Sequence, residues 1–142
     1  MKLQVNTMLA LYSVIEFASA PERHIPASEI AEKYDVSPHH LAKVLAELVR
    51  ADIVESVRGV GGGYRFAANA RRLTLMDVIQ LFEDFSTPAA VRGDAHAPMP
   101  VDRALDVVLG EIDQIAKATF SSITLATMLQ LVARHRTPDE RG

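Results

Sequence analysis

Arg58-Gly59-Val60-Gly61-Gly62-Gly63-Tyr64-Arg65 decides how the rest of the chain is read. Two arginines bracket a run of glycines. On one side Ile53-Val54-Glu55-Ser56-Val57 reads as a strand, and on the other Tyr64-Arg65-Phe66-Ala67 reads as its return across the glycine turn. Glycine opens the tip to positive φ and strips it of bulk. Such a tip suits a narrow minor groove, whose negative potential attracts a cation such as Arg58. A plain flexible hairpin is the other reading of the same residues. Nucleotide-phosphate loops are excluded. No Gly-Lys-Ser/Thr ending is present, Tyr64 occupies the sixth place of G-x-G-x-x-G, and a strand follows where both motifs need a helix.

Upstream of this hairpin, Ser37 is a good N-cap and Pro38 suits the first helical position. Leu41, Val44, Leu45 and Leu48 repeat at i, i+3, i+4 and i+7, which predicts a helix to about Val49 with one buried stripe. His39, His40, Ala42, Lys43, Ala46, Glu47 and Arg50 then face outward. A recognition helix reads bases from its N-terminal end, where His39, His40 and Lys43 are donors. An ordinary solvated face is the alternative. A shorter helix precedes it around Glu29–Tyr34, with Asp35-Val36 as the turn. Helix, turn, helix and basic hairpin is the order of a winged helix-turn-helix.

Val5, Met8, Leu9, Tyr12 and Ile15 mark a first helix to about Ala20, which Pro21 stops. Thr74 caps a helix with a core face of Leu75, Val78, Ile79 and Phe82. Residues 86–100 hold four of the chain's non-periodic breakers (Pro88, Gly93, Pro98, Pro100) and read as a loop. A long helix is expected over about Val101–Phe120, and a last one from Thr124 with Leu125, Met128, Leu129 and Val132 inward. The tail from Arg134 reads as frayed. Ala104, Leu105, Val107, Val108 and Leu109 spread over more than one face of the long helix, as in a helix that packs on its own domain and on a partner. Full burial within a monomer is the other reading.

Composition narrows the function. With 49% hydrophobic residues the chain can build a core, and no apolar run is long enough to span a bilayer. The first residues lack a signal-peptide pattern, so the cytoplasm is the expected location. The chain has no cysteine, which removes disulfides, thiolate chemistry and cysteine-ligated iron–sulfur clusters. A net charge of −3 is unusual for a DNA binder, but it is unevenly spread. From Ser37 to Arg72 six cations meet three acids; from Leu73 onward six cations meet ten acids. The histidines do not form a chelating set: His39 and His40 are about 100° apart on a helix. His96 with Asp94 is at most a weak pair. No nucleophile sits beside an evident base, so no enzyme activity and no cofactor are expected.

Taken together, the chain resembles the BadM/Rrf-two family of bacterial winged-helix transcriptional regulators (IscR-, NsrR- and CymR-like). The resemblance rests on Met1-Lys2-Leu3, on Ile30-Ala31-Glu32-Lys33-Tyr34-Asp35-Val36-Ser37 and on Leu41-Ala42-Lys43-Val44-Leu45. It is strongest in Ser56-Val57-Arg58-Gly59-Val60-Gly61-Gly62-Gly63-Tyr64, where Val60 replaces the family's usual proline. It continues through Leu73-Thr74-Leu75-Met76-Asp77-Val78-Ile79 to Ile123-Thr124-Leu125. The resemblance implies a homodimer on a partly palindromic operator, joined through the long C-terminal helix. By position it implies DNA contacts from Ser37, His39, His40 and Lys43, a minor-groove role for Arg58 and a phosphate contact from Lys2. Many members carry three cysteines in the loop before the dimer helix. Here that loop has none, which places the chain in a cluster-free branch. Ala42 stands where several relatives have a base-selecting glutamate, so operator preference should differ.

The expected fold is mainly α with a small β-hairpin wing: a winged helix-turn-helix plus a long C-terminal dimerisation helix. Residues 1–85 form the DNA-binding domain, 86–100 a loop, and 101–134 the dimerisation helix and final packing helix. The expected function is a repressor. Its DNA contacts are Lys2, Ser37, His39, His40, Lys43, Arg58, Gly59, Gly61, Gly62, Gly63, Tyr64 and Arg65. Its dimer contacts are Leu105, Val108, Leu109, Ile112, Ile115 and Ala116. Double-stranded DNA and a second copy are the expected partners, with a small-molecule or protein effector beside them and no membrane. A winged-helix module that binds protein, or a small-molecule-responsive sensor, is the competing function.

Overall fold

The computed structural model describes residues 1–85, 97 and 99–141 of the chain. The expected loop and its Asp94–His96 pair fall almost wholly outside them. Among the described residues the order is α1 (Val5–Ser19), α2 (Ala27–Tyr34), α3 (Pro38–Arg50), β1 (Val54–Val57), β2 (Gly63–Phe66), α4 (Leu75–Ile79), α5 (Pro100–Ser122) and α6 (Leu125–Arg134). A short 3-10 turn, Pro138–Arg141, follows where a frayed tail was expected. The chain is thus mostly helical, with one antiparallel hairpin.

Helix α1 runs through the centre, packing on α3, α4, α6 and β2. Its apolar repeat marks the helix but its buried side only in part, since Leu9 alone of that repeat is buried. Val5 and Tyr12 are exposed, whereas Thr7, Leu9, Ala10, Ser13, Val14, Phe17 and Ala18 are buried. Small residues (Ala10, Ser13, Ala18) share this face with Leu9, Val14 and Phe17, which lets several elements approach it closely. The buried hydroxyls are satisfied, as burial requires. Ser13 Oγ donates to Leu9 O at 2.7 Å, and Thr7 Oγ1 donates to Glu83 Oε1 at 2.8 Å.

Two aspartates in the left-handed region punctuate the helix-turn-helix. Asp35 (φ 52°) ends α2, and Asp52 (φ 60°) lies just after α3. Aspartate tolerates this conformation better than branched residues do. Val36 N–H then reaches Ala31 O, and Ile53 N–H reaches Leu48 O, both at 3.0 Å. The chain turns at once into the next element in both places.

The C-terminal half is anchored by main-chain stitching. Thr74 begins α4 in a capping box: Asp77 N–H donates to Thr74 Oγ1 at 3.2 Å and Thr74 N–H to Asp77 Oδ2 at 2.9 Å. Thr124 caps α6 by accepting from Thr127 N–H at 3.2 Å. The two starts pair with each other, Leu75 N–H to Ile123 O and Leu125 N–H to Leu73 O, each at 2.9 Å. Leu125 therefore sits in the same core as Phe17, Leu41 and Leu45. Helix α4 is shorter than its apolar face suggested, and Phe82 lies beyond it, half-buried.

Between these stitched starts stands α5, 23 residues long, or about 34 Å at 1.5 Å per residue. None of its residues is buried. Leu105, Val107, Val108, Leu109, Ile112 and Ile115 are each between 52% and 67% exposed. The reading of α5 as a helix buried within one chain is overturned. Its apolar stripe has nothing of this chain to cover it among the described residues.

Candidate nucleic-acid interface

The helix α3 forms as its residues dictate. Ser37 Oγ accepts from His40 N–H at 3.4 Å, and Pro38 occupies the first turn. Leu41, Val44, Leu45 and Leu48 are buried to 1% exposure or less. That stripe pins the helix by one side. Ser37, His39, His40, Ala42, Lys43, Ala46 and Arg50 are all left exposed on the other. Glu47 is half-buried and tied to Arg50 Nη1 at 2.5 Å. Lys43 has no acidic partner among the described residues. The N-terminal half of the outer face therefore presents the Lys43 ammonium and the polar rings of His39 and His40, with no carboxylate among the described residues paired to Lys43.

The wing follows directly from the end of α3. Its register is Val54 opposite Phe66, Glu55 opposite Arg65, Ser56 opposite Tyr64 and Val57 opposite Gly63. The root pair, Val54 and Phe66, is buried and joins the wing to the core. The tip carries Gly59 (φ 103°) and Gly61 (φ 76°), closed by Gly62 N–H to Gly59 O at 3.0 Å. Val60 and Arg58 are exposed, and Arg58 meets no carboxylate among the described residues. Backbone at the tip is bare on the side of Gly59 and Gly61, since an added β-carbon at either would meet nothing within 4 Å.

The remaining glycines have a different role. A β-carbon on Gly62 would lie 2.3 Å from Val57 O, and one on Gly63 would lie 2.7 Å from Ile25 C and O. Both are therefore required by the packing of the hairpin itself. Tyr64 is half-buried, its ring centre 6.1 Å from that of Phe17. Arg65 pairs across the strands with Glu55, so its charge is partly met inside the protein. Lys2 is exposed, and near it Gln4 N–H is held by Glu83 Oε1 at 2.6 Å. The expected dimer residues Leu105, Val108, Leu109, Ile112 and Ile115 are exposed along α5, and Ala116 is half-covered.

Two features escaped the reading of the sequence. One is the bridge between Ile25 and Tyr64, which adds a third strand residue to the hairpin. A single residue between His24 and Pro26 has no periodicity to betray it. The other is an open cleft of about 750 Å3 lined by α1, α2, the end of α6 and Arg136 just beyond it. There Glu16 Oε1 accepts from Lys33 Nζ at 2.6 Å and from the Tyr34 hydroxyl. Burial, and then the Glu16 carboxylate, push the Tyr34 phenol well above its ordinary range. These residues come from three distant segments, so no spacing joins them.

Among the described residues, no three His, Asp or Glu side chains cluster to hold a metal ion. No helix among them is long and apolar enough to cross a membrane.

Comparison with known proteins matches these features. A family model, Rrf2, described as an iron-dependent transcriptional regulator, covers residues 3–131. BadM of Rhodopseudomonas palustris, named as an HTH-type transcriptional regulator, is 49% identical over 142 residues, spanning 100% of this chain and 90% of BadM. CymR, the global cysteine regulator of B. subtilis, superimposes with a TM-score of 0.73 at 26% identity, covering 92% of this chain and 98% of CymR. IscR of T. potens superimposes with a TM-score of 0.74 at 23% identity over 100% and 97% of the two chains, and shares the fold.

Proposed function

The chain belongs to the Rrf2 family of transcriptional regulators, and from that membership we propose that it is a homodimeric, sequence-specific repressor acting in the cytoplasm on a partly palindromic operator. The observation that carries this reading is the exposed start of α3, with His39, His40 and a Lys43 unpaired among the described residues, beside a bare glycine tip that presents Arg58. His39, His40 and Lys43 enter the major groove, and Ser37 at the helix start approaches a phosphate. Arg58 enters the neighbouring minor groove, with Gly59 and Gly61 permitting close approach. Lys2 and Arg65 contribute phosphate contacts, Arg65 less because Glu55 already holds it. Gly62, Gly63 and Tyr64 act by holding the wing in shape.

A second copy covers the apolar stripe of α5. Two-fold pairing through this helix sets two α3 helices about 34–36 Å apart, one turn of duplex. Exposure of seven large aliphatic side chains on one helix supports the pairing, since an apolar patch of this size is costly in water. Bound across a promoter, such a dimer excludes polymerase by occupancy.

The family is described as iron-dependent. The residues of this chain do not fit a cysteine-ligated cluster, because it has no cysteine. We place it among regulators that work without one.

Selection of bound duplexes from a random library tests the reading, with sedimentation of the same protein. Enrichment of an inverted repeat with half-sites about one turn apart, by a particle of two chains, is expected. No enrichment of any sequence, or a monomer at working concentration, overturns it.

A further inference from the structure

The cleft between α1, α2 and the end of α6 contains none of the residues assigned above to DNA or dimer contacts. Its volume of about 750 Å3 is that of a small-molecule site. One wall is aromatic: the Tyr12 and Tyr34 rings stack with centres 4.9 Å apart and planes within 5°. Another is aliphatic, from Leu129 of α6. Three charges lie at its edge. Glu16 and Lys33 neutralise each other at 2.6 Å. Arg136, just beyond α6, lines the same cleft and meets no carboxylate among the described residues.

We propose that this cleft binds a small organic monoanion, a single carboxylate on an apolar or aromatic body, with the carboxylate paired to Arg136 and the body against the Tyr12–Tyr34 stack. The charge balance selects this class. A neutral apolar compound leaves Arg136 without a partner, a cation meets Arg136 and Lys33, and a second carboxylate meets Glu16. A guanidinium offers a planar fork that a carboxylate matches with two hydrogen bonds.

Position gives the site a consequence. Tyr34 and Lys33 belong to α2, the first helix of the helix-turn-helix, while Leu129 and Arg136 belong to the segment stitched to α4 beside α5. A ligand held by both biases the placement of α2 and α3 relative to α5, and so the spacing of two recognition helices. A ligand with unequal affinity for two arrangements shifts their populations. This consequence rests on the regulator reading; binding in the cleft does not.

Titration calorimetry of the full chain tests the proposal with phenylacetate and hexanoate as anions and phenylacetamide as the neutral match. Saturable binding of one phenylacetate per chain is expected, weakened about tenfold or more for phenylacetamide and for the Arg136→Gln variant. Arg136 is exposed, so Arg136→Gln should stay folded. Tyr12→Ala, at a second exposed position, should weaken phenylacetate more than hexanoate. Wild-type protein that binds neither anion saturably, or binding that Arg136→Gln leaves unchanged, overturns the proposal. So does an Arg136→Gln protein that sediments as a monomer, which would place a second copy on this face. DNA selection on the same preparations separates the two readings. Selection without anion binding removes this proposal alone, whereas anion binding without selection leaves the cleft standing and removes the regulator.

Discussion

The backbone of Gly63 is pressed against that of Ile25, so closely that a β-carbon on Gly63 would sit 2.7 Å from the Ile25 carbonyl. Two hydrogen bonds frame this contact: Tyr64 N–H to Ile25 O at 2.9 Å and Ile25 N–H to Tyr64 O at 2.8 Å. The wing is therefore tied, at the tip-side end of β2, to the chain entering α2, as well as rooted beside α3. Its direction relative to the helix-turn-helix is set by main-chain bonds.

Gly63→Ala should break this tie. The substitution meets backbone, which cannot move aside as a side chain can, and overpacking of this kind costs about 1–3 kcal/mol. It also places a side chain at φ +150°. Gly61→Ala has a left-handed φ of +76° but open space around it, so only the backbone penalty of about 1–2 kcal/mol applies. Urea unfolding of both variants checks the order. A larger loss for Gly61→Ala than for Gly63→Ala would contradict the contact.

Arg58→Ala should leave stability unchanged, because its side chain is exposed and unpaired among the described residues. Its effect should appear in DNA binding as lower affinity and a salt slope reduced by about one unit, the loss of one phosphate-region contact. Arg65→Ala should weaken DNA less, since Glu55 already engages that guanidinium. Binding isotherms at several salt concentrations distinguish the two. Equal affinity of wild type and Arg58→Ala removes the role given to the wing.

Leu109→Asp with Ile112→Asp should split the dimer. Both positions are exposed in the single chain, 52% and 53%, so the fold does not depend on them. Charges there must be desolvated when two α5 helices meet. Sedimentation should report one chain while circular dichroism retains the helical signal. Affinity for a two-half-site duplex should fall by about 100-fold, the usual gain from joining two binding modules.

Tyr34 supplies a pH dependence. Burial, then hydrogen bonding and charge from Glu16, hold its phenol above the ordinary value of 10.0. The folded chain thus keeps a proton that the unfolded chain releases. Stability from this source is present below about pH 10 and is lost as pH rises beyond it, because the unfolded state then binds fewer protons. Urea midpoints measured between about pH 8 and about pH 11 should fall less steeply in Tyr34→Phe than in wild type. Parallel curves would remove the role of this hydroxyl.

The helix α3 and the hairpin were legible because their signals are short-range. A serine cap, a first-turn proline and four leucine or valine positions within two turns define the helix whatever surrounds it. Glycines at the tip are equally local. The buried face of α1 was legible only in part. Hydropathy points to Val5, Leu9 and Tyr12, yet of these only Leu9 is enclosed, and the polar Thr7 and Ser13 are enclosed with it. Burial of Thr7 depends on Glu83, 76 residues away, satisfying a hydroxyl that would otherwise be costly to enclose, whereas Ser13 is satisfied within its own helix by Leu9 O. Among the proposed contacts, the charge on Arg65 looked available until the strand register set Glu55 opposite it.

Residues within a turn or two of one another settled the identity of the helices, the hairpin, their order and the cationic character of the middle of the chain. Those outcomes follow from periodicity, caps and backbone freedom, which act locally. The third strand residue at Ile25, the cleft beneath Tyr12 and Tyr34, and the bare length of α5 were decided only by packing. Each requires segments tens of residues apart to meet within contact distance, and the stitching of Leu73 to Leu125 brings α6 into the core while leaving α5 outside it.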